Sequence, residues 1–181
     1  ARFLSTLLTI KKPKEILEIG TAVAFSAGLM SRYLQEGGHV TTIDRYEYML
    51  NIAKKNIKRM GLEEKINIIE DDAANVLPKL SGPYDFIFLD AAKAQYIQFL
   101  PELLRLMPIG GILVADDVLQ GGNIAKSRFS LPRRQRTIHK RMRNFLWDIS
   151  HLDCLESSII PIGDGIVMCT KIKEYVPTEG E

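Results

Sequence analysis

Apolar and polar positions along this chain follow two periods, and the switches between them divide it into elements. The run Phe86-Ile87-Phe88-Leu89 is continuously apolar, as in a strand covered on both faces, and it ends abruptly in Asp90. A second such run, Gly110 to Ala115, ends in Asp116-Asp117. Between them, residues 95–107 carry apolar side chains at helical spacing. Strand, helix and strand make a right-handed crossover that sets the two strands parallel and makes them neighbours. The same reading gives helices over 2–10, 24–35, 46–60, 73–80 and 133–149. It gives further strands over 15–19, 39–43, 65–69, 153–159 and 165–172. Gly37-Gly38 and Gly61 close two of the helices, Ser81-Gly82-Pro83 is a turn, and 119–132 is a polar glycine-containing loop. The tail beyond Tyr175 is polar and expected to fray. Strand and helix alternating this often predict an α/β domain, a parallel sheet with helices on both faces.

The chemistry gathers at the strand ends. Ligands of open α/β sheets bind at the carboxyl ends of the strands. If the strands ending at Asp90 and Asp116 are neighbours, roughly 4.8 Å apart, then Asp90, Asp116 and Asp117 converge on one small volume. Like charges that close repel unless a proton or a cation holds them. They are therefore read as a hard-cation site for Mg²⁺ or another divalent ion, with Lys93 at its rim. On the other side of the sheet centre, Glu18 stands just before Gly20, where the backbone can approach a ligand closely. Asp44 ends the second strand, placed to accept hydrogen bonds from ribose hydroxyls. Ser26 and the amides of the next helix start could hold a carboxylate. Residues 18–26, EIGTAVAFS, contain one glycine rather than the three that cradle a pyrophosphate. A nucleoside with an amino-acid tail, S-adenosylmethionine, fits better than a dinucleotide.

Composition changes this picture in one place. The 181 residues, 46% hydrophobic and 25% charged, suit one globular domain, and a net charge of +2 decides nothing. Yet between Lys126 and Arg143 there are eight Lys and Arg and no Asp or Glu. A charge run is usually a solvated helix face. This one follows directly on the acidic cluster, so Arg128, Arg133, Arg134, Arg136 and Lys140 are read as nucleic-acid contacts, with Phe129 able to stack on a base. Met142, Phe145, Leu146 and Trp147 are read as packing that helix on the core, and His39 and His151 as structural. Cys154 and Cys169 lack metal-ligand spacing and read as buried reduced thiols. No apolar run approaches the length of a membrane span, and nothing suggests secretion, so a cytoplasmic protein is expected. The chain opens at Ala1 already inside a helical pattern, and a segment upstream of it is expected.

Several segments in order resemble one family, the class I, metal-dependent O-methyltransferases related to catechol O-methyltransferase. They are ILEIGTAVAFSA (16–27), VTTID (40–44), DDAANVLP (71–78), YDFIFLDAAKAQY (84–96), GGILVADDVL (110–119) and PIGDGI (161–166). Within the family the chain looks most like the bacterial branch that methylates 5-hydroxyuridine in tRNA, partly through the basic segment 131–145. The resemblance implies a Rossmann-like fold of seven mostly parallel strands, with an antiparallel strand near the C-terminus. It implies Asp90, Asp116 and Asp117 as metal ligands and Lys93 as catalytic base. Asp90 would also lie near the amino group of the cofactor's methionine. Glu18, Gly20, Phe25, Ser26, Asp44, Asp72 and Ala73 would line the cofactor's path. A homodimer is expected by the same likeness. The chain departs from the family pattern in having Asp117 for Asn, and Ala24 and Phe25 for Gly and Tyr.

The expected reaction is transfer of a methyl from a sulfonium to a hydroxyl oxygen, with tRNA as the substrate. The same chemistry on a small catechol-like molecule is the alternative, and a non-catalytic RNA-binding module is the alternative of another class. A nicotinamide-dependent oxidoreductase is disfavoured by the missing glycine fingerprint.

Overall fold

The structure, a computed structural model, describes residues 1–176. Its elements in chain order are α1 (Arg2–Lys11), β1 (Glu15–Ile19), α2 (Phe25–Met30), β2 (His39–Asp44), α3 (Glu47–Met60), β3 (Ile66–Glu70) and α4 (Ala73–Val76). Then come β4 (Phe86–Leu89), α5 (Tyr96–Leu106), β5 (Ile112–Ala115), α6 (Arg136–His151), β6 (Leu155–Ile160) and β7 (Ile166–Lys171). The seven strands form one sheet in the order β3-β2-β1-β4-β5-β7-β6. Five are parallel neighbours; β7 runs antiparallel to β5 and to β6.

The central strands are continuously apolar because both faces are covered. Ile16, Phe86, Phe88 and Val114 point to the face packed by α1, α2 and α3, among Leu4, Leu8, Met30 and Ile57. Leu17, Ile19, Ile87, Leu89, Leu113 and Ala115 alternate with them onto the other face, against Phe99, Leu103, Phe145 and Ile149.

Sheet order sets the place of the site. The chain builds β1, β2 and β3 outward in one direction, then returns and places β4 and β5 on the other side of β1. Between β1 and β4 the order reverses, and a crevice opens beyond their carboxyl ends. Gly20 sits there with φ +107°, and a Cβ at this position would lie 2.0 Å from the Asp90 carbonyl oxygen. Only glycine allows the chain leaving β1 to pass so close to the chain leaving β4.

Several boundaries differ from those read in the sequence. The helix expected over 24–35 is a short α2 followed by a 3₁₀ turn at Ser31–Tyr33, and that over 73–80 is α4 followed by a turn at Leu77–Lys79. The loop expected over 119–132 contains 3₁₀ turns at Asn123–Ala125 and Arg128–Ser130, and another turn at Arg133–Gln135 leads into α6. Trp147 does not pack on the core; it is 64% exposed and stacks on His151 at 3.8 Å. The buried stripe of α6 is His139, Met142, Phe145, Leu146 and Ile149, and Trp147 falls outside that helical spacing. Cys154 and Cys169 are buried free thiols, as expected. No helix among the described residues is long and apolar enough to cross a membrane. Of the tail expected to fray, residues 177–181 lie outside the described residues.

Candidate active site

Asp90 ends β4, and Asp116 follows β5. Because Leu89 is in register with Ala115, these two acids leave adjacent strands at the same height. Tyr96, fully buried at the start of α5, ties the two strand ends together: its hydroxyl lies 3.1 Å from the Leu89 carbonyl and 3.2 Å from that of Asp116. Asp117 adopts a left-handed backbone, φ 57°. Asp and Asn tolerate that region better than most residues, and it is the kind of strain kept at functional positions. Its carboxylate meets Lys93, whose ammonium lies 3.2 Å from Asp117 Oδ2 and 2.9 Å from Asp90 Oδ1. Lys93 is held between strand tips by the 3₁₀ turn Lys93–Gln95 and has only 20% of its side chain exposed.

Charge here is unbalanced. Burial alone would favour the neutral amine of Lys93, but the carboxylates of Asp90 and Asp117 outweigh it and raise its pKa. Burial raises the Tyr96 phenol as well, so Tyr96 stays neutral and the carboxylates carry the effect. Asp116 is also raised, first by burial and then by the like charges of Asp117 and Asp90. Three carboxylates thus face one ammonium. Among the described residues no three Asp, Glu, His or Cys side chains stand at ligand spacing, and the ammonium lies between Asp90 and Asp117. The donor set is nevertheless one that a hard divalent cation takes: oxygen only, and short of positive charge.

Asp90 also borders two cavities. The first, about 330 Å³, is lined by Gly20, Asp44, Tyr46, Met49, Asp72 and Ala73 among others. Its mouth is set by Asp44, whose carboxylate accepts from the N–H groups of Ala22 (2.9 Å), Arg45 (2.7 Å) and Tyr46 (3.1 Å). Asp72 caps α4 through the Ala74 N–H and pairs with Arg45. The second cavity, about 600 Å³, lies on the other side of Asp90, between Arg2, Phe25, Ser26, Asp116, Asp117 and Ile162. Ala24 is fully buried with φ 64°, a left-handed conformation that glycine adopts without steric cost. Phe25, beside it, is 69% exposed.

Behind both cavities lies Glu18, with no exposed surface. Thr42 donates to its Oε2 at 2.5 Å, and Thr42 and Thr21 are themselves 2.7 Å apart. Oε1 meets no donor. Burial pushes the Glu18 carboxyl from 4.5 up to about 7, against the pull of Ser26 and Thr42 toward the charged form. A buried oxygen without a well-placed donor, close to the crevice, suits a cofactor that brings a donor or a positive charge, as the amino group of S-adenosylmethionine would.

The shift has a consequence for stability. Between pH 4.5 and 7 folded Glu18 keeps a proton that the unfolded chain has lost, so the folded state binds more protons and its stability falls as pH rises through that window. The full effect is on the order of 3 kcal/mol. Denaturant midpoints at pH 5 and pH 8 should show Glu18→Gln with a much flatter dependence than the parent, and a gain at pH 8. Parallel pH profiles for the two proteins would contradict this account of Glu18.

The structure brings Asp90, Lys93, Asp116 and Asp117 together, and gathers Gly20, Phe25, Ser26, Asp44, Asp72 and Ala73 around the adjoining cavities. Of the basic residues, Arg128, Arg133, Arg134 and Lys140 are exposed and Arg136 is partly covered. Phe129 is 73% exposed, with the Arg128 and Arg136 guanidinium groups 5.3 and 5.8 Å from its ring centre. His139, within the basic run, is buried and bonded to the Lys126 carbonyl. Sequence reading missed Tyr96, Thr21, Thr42 and Arg45. Tyr96 and Thr42 carried the only signal, as polar-tipped side chains inside apolar stretches.

A seven-stranded sheet with one reversed strand, and a nucleoside-sized cavity at its switch point, defines the Rossmann-like methyltransferase class. The comparisons agree. The O-methyltransferase family model matches residues 1–172. A caffeoyl-CoA O-methyltransferase from Populus kitakamiensis is 33% identical over 177 residues, covering 94% of this chain and 75% of its own length. A catechol O-methyltransferase from Niastella koreensis is 34% identical over 138 residues, covering 74% of this chain and 62% of its own. The O-methyltransferase from Bacillus cereus in complex with S-adenosylhomocysteine superposes with a TM-score of 0.84 at 26% identity, covering 94% of this chain and 79% of that one. The chain belongs to the O-methyltransferase family, whose members here are S-adenosylmethionine-dependent enzymes.

Proposed function

We propose that the protein carries out Mg²⁺-dependent transfer of a methyl from S-adenosylmethionine to a hydroxyl oxygen of 5-hydroxyuridine in tRNA, at the wobble position. One observation carries the chemistry: Asp90 borders both cavities and shares the Lys93 ammonium with Asp117. In this reading Asp44, Asp72, Ala73 and Gly20 hold the nucleoside of the cofactor. Glu18, Ser26 and Phe25 flank its amino-acid end, and Asp90 lies at the junction with the acceptor.

Asp90, Asp116 and Asp117 would hold the magnesium, which when bound supplies the positive charge that makes a neighbouring hydroxyl acidic. Lys93 is the group placed to take that hydroxyl's proton on Nζ. In the present arrangement it keeps its own proton, because the carboxylates hold it charged. Relieved of their charge, it is left with its burial, which favours the neutral amine that a base requires. Tyr96 fixes the distance between the strand tips from which these groups project.

The choice of tRNA rests on the acid-free basic surface beside this site, since phosphate contacts supply affinity and a looped strand offers an exposed base. A 5-hydroxyuracil presents two adjacent oxygens, as a catechol does. The relatives named for caffeoyl-CoA and catechol support the second reading, a small phenolic acceptor. Labelled methyl from the cofactor should enter unmethylated bulk tRNA, with Mg²⁺ and not with EDTA. Incorporation into catechol alone would replace the first reading with the second.

A further inference from the structure

A separate cavity of about 360 Å³ opens on the outer face of α6, lined by Arg128, Arg136, Thr137, Lys140, Arg141 and Asn144. Four of its six lining residues are cations, and among the described residues none of the four pairs with a carboxylate. Two of them are fixed by backbone. Arg136 donates from Nε to the Leu131 carbonyl at 3.0 Å and from Nη2 to that of Phe129 at 3.1 Å. Arg141 donates from Nη1 to the Ala94 carbonyl at 3.2 Å. Each guanidinium keeps further N–H groups for a ligand.

This arrangement disfavours the bare fold. Cations at a helix N-terminus oppose its dipole, and like charges in one hollow repel. The first turn of α6 carries Arg136, follows Arg133 and Arg134, and has no acid to offset them. What relieves such a site is an anion with several acceptor oxygens, and guanidinium forks with a hydroxyl and an amide match a phosphate.

We propose that this hollow is a phosphate-binding pocket that seats one phosphate of the acceptor substrate. It names a handle on the substrate of the reaction proposed above and to that extent rests on it. The pocket is joined to the chemistry through Arg141, which bonds the residue next to Lys93. A substrate anchored there presents its reacting group at a fixed reach from the strand tips. Arg133 and Arg134 lie outside the pocket and serve it only through the general field.

The test measures fluorescence polarisation of a labelled RNA hairpin and of labelled adenosine 3′,5′-bisphosphate on the full chain. The variants are Arg128→Gln, Lys140→Gln and the pair, neither side chain being bonded to backbone, and Arg133→Gln and Arg134→Gln outside the pocket; Lys55→Gln on α3 is the control. S-adenosylhomocysteine affinity should stay unchanged throughout. The pair should weaken the bound probe about tenfold and flatten its salt dependence by about the slope of one phosphate contact. Weakened RNA binding assigns the pocket to a strand phosphate. Weakened bisphosphate binding with no RNA binding upholds the pocket and removes tRNA from the reading above. Unchanged affinity for both probes, or no binding of either, overturns the proposal. RNA binding that falls only in Arg133→Gln and Arg134→Gln overturns the pocket and leaves the tRNA reading standing.

Discussion

Replacing Asp90 by asparagine is expected to lower methyl transfer at least about a thousandfold, equivalent to about 4 kcal/mol of transition-state stabilisation. The size follows from how many contacts meet there. Asp90 borders both cavities, holds Lys93 at 2.9 Å and stands level with Asp116 on the next strand. Asparagine keeps the shape and loses the charge, so the fold should survive: Asp90 is exposed, and its N–H to the Ile19 carbonyl is a backbone bond the change leaves alone. Turnover and S-adenosylhomocysteine affinity, measured together, should both fall while the thermal midpoint stays within a few degrees. A variant that kept a tenth of the parent's turnover would remove Asp90 from the reaction.

Lys93→Met should reduce kcat by about a hundred- to ten-thousandfold, the range for losing a positioned proton acceptor. The same change should tighten divalent-ion binding, because the ammonium now between Asp90 and Asp117 would no longer compete for their oxygens. These opposite signs separate a reacting lysine from a merely structural one. If Lys93 served only to neutralise the carboxylates, added Mg²⁺ would restore turnover in Lys93→Met. If it takes the proton, saturating Mg²⁺ leaves kcat low. Full activity at saturating metal would therefore contradict its role as base.

Much of this was legible in the chain because the sheet is buried on both sides. Continuous apolar runs such as Phe86–Leu89 can hardly be anything but central strands, and the acids that end them must lie at the carboxyl edge. Alternation with helices then gave the parallel order. Less legible was whatever depends on contacts between distant segments. Glu18 looks in sequence like any polar residue near a strand tip, yet the surrounding layers leave it no exposed surface and one oxygen without a donor. Lys93 was read at the rim of an acidic cluster; its place between two carboxylates depends on the left-handed turn at Asp117, which no local pattern announces. Trp147 was assigned to the core by hydrophobicity, and the spacing from Met142 and Phe145 would have corrected it. The basic run was visible as charge, but its division into four residues that line a pocket and four that do not appears only when Arg128 folds back beside α6.

The most direct test is a titration of the full chain with Mn²⁺ in the presence of S-adenosylhomocysteine, followed by electron paramagnetic resonance of the free ion. The metal role proposed for Asp90, Asp116 and Asp117 calls for one ion bound per chain and for its loss in Asp90→Asn. An ion that fails to bind the parent, or binds Asp90→Asn equally well, would mean that these three acids do not form a metal centre.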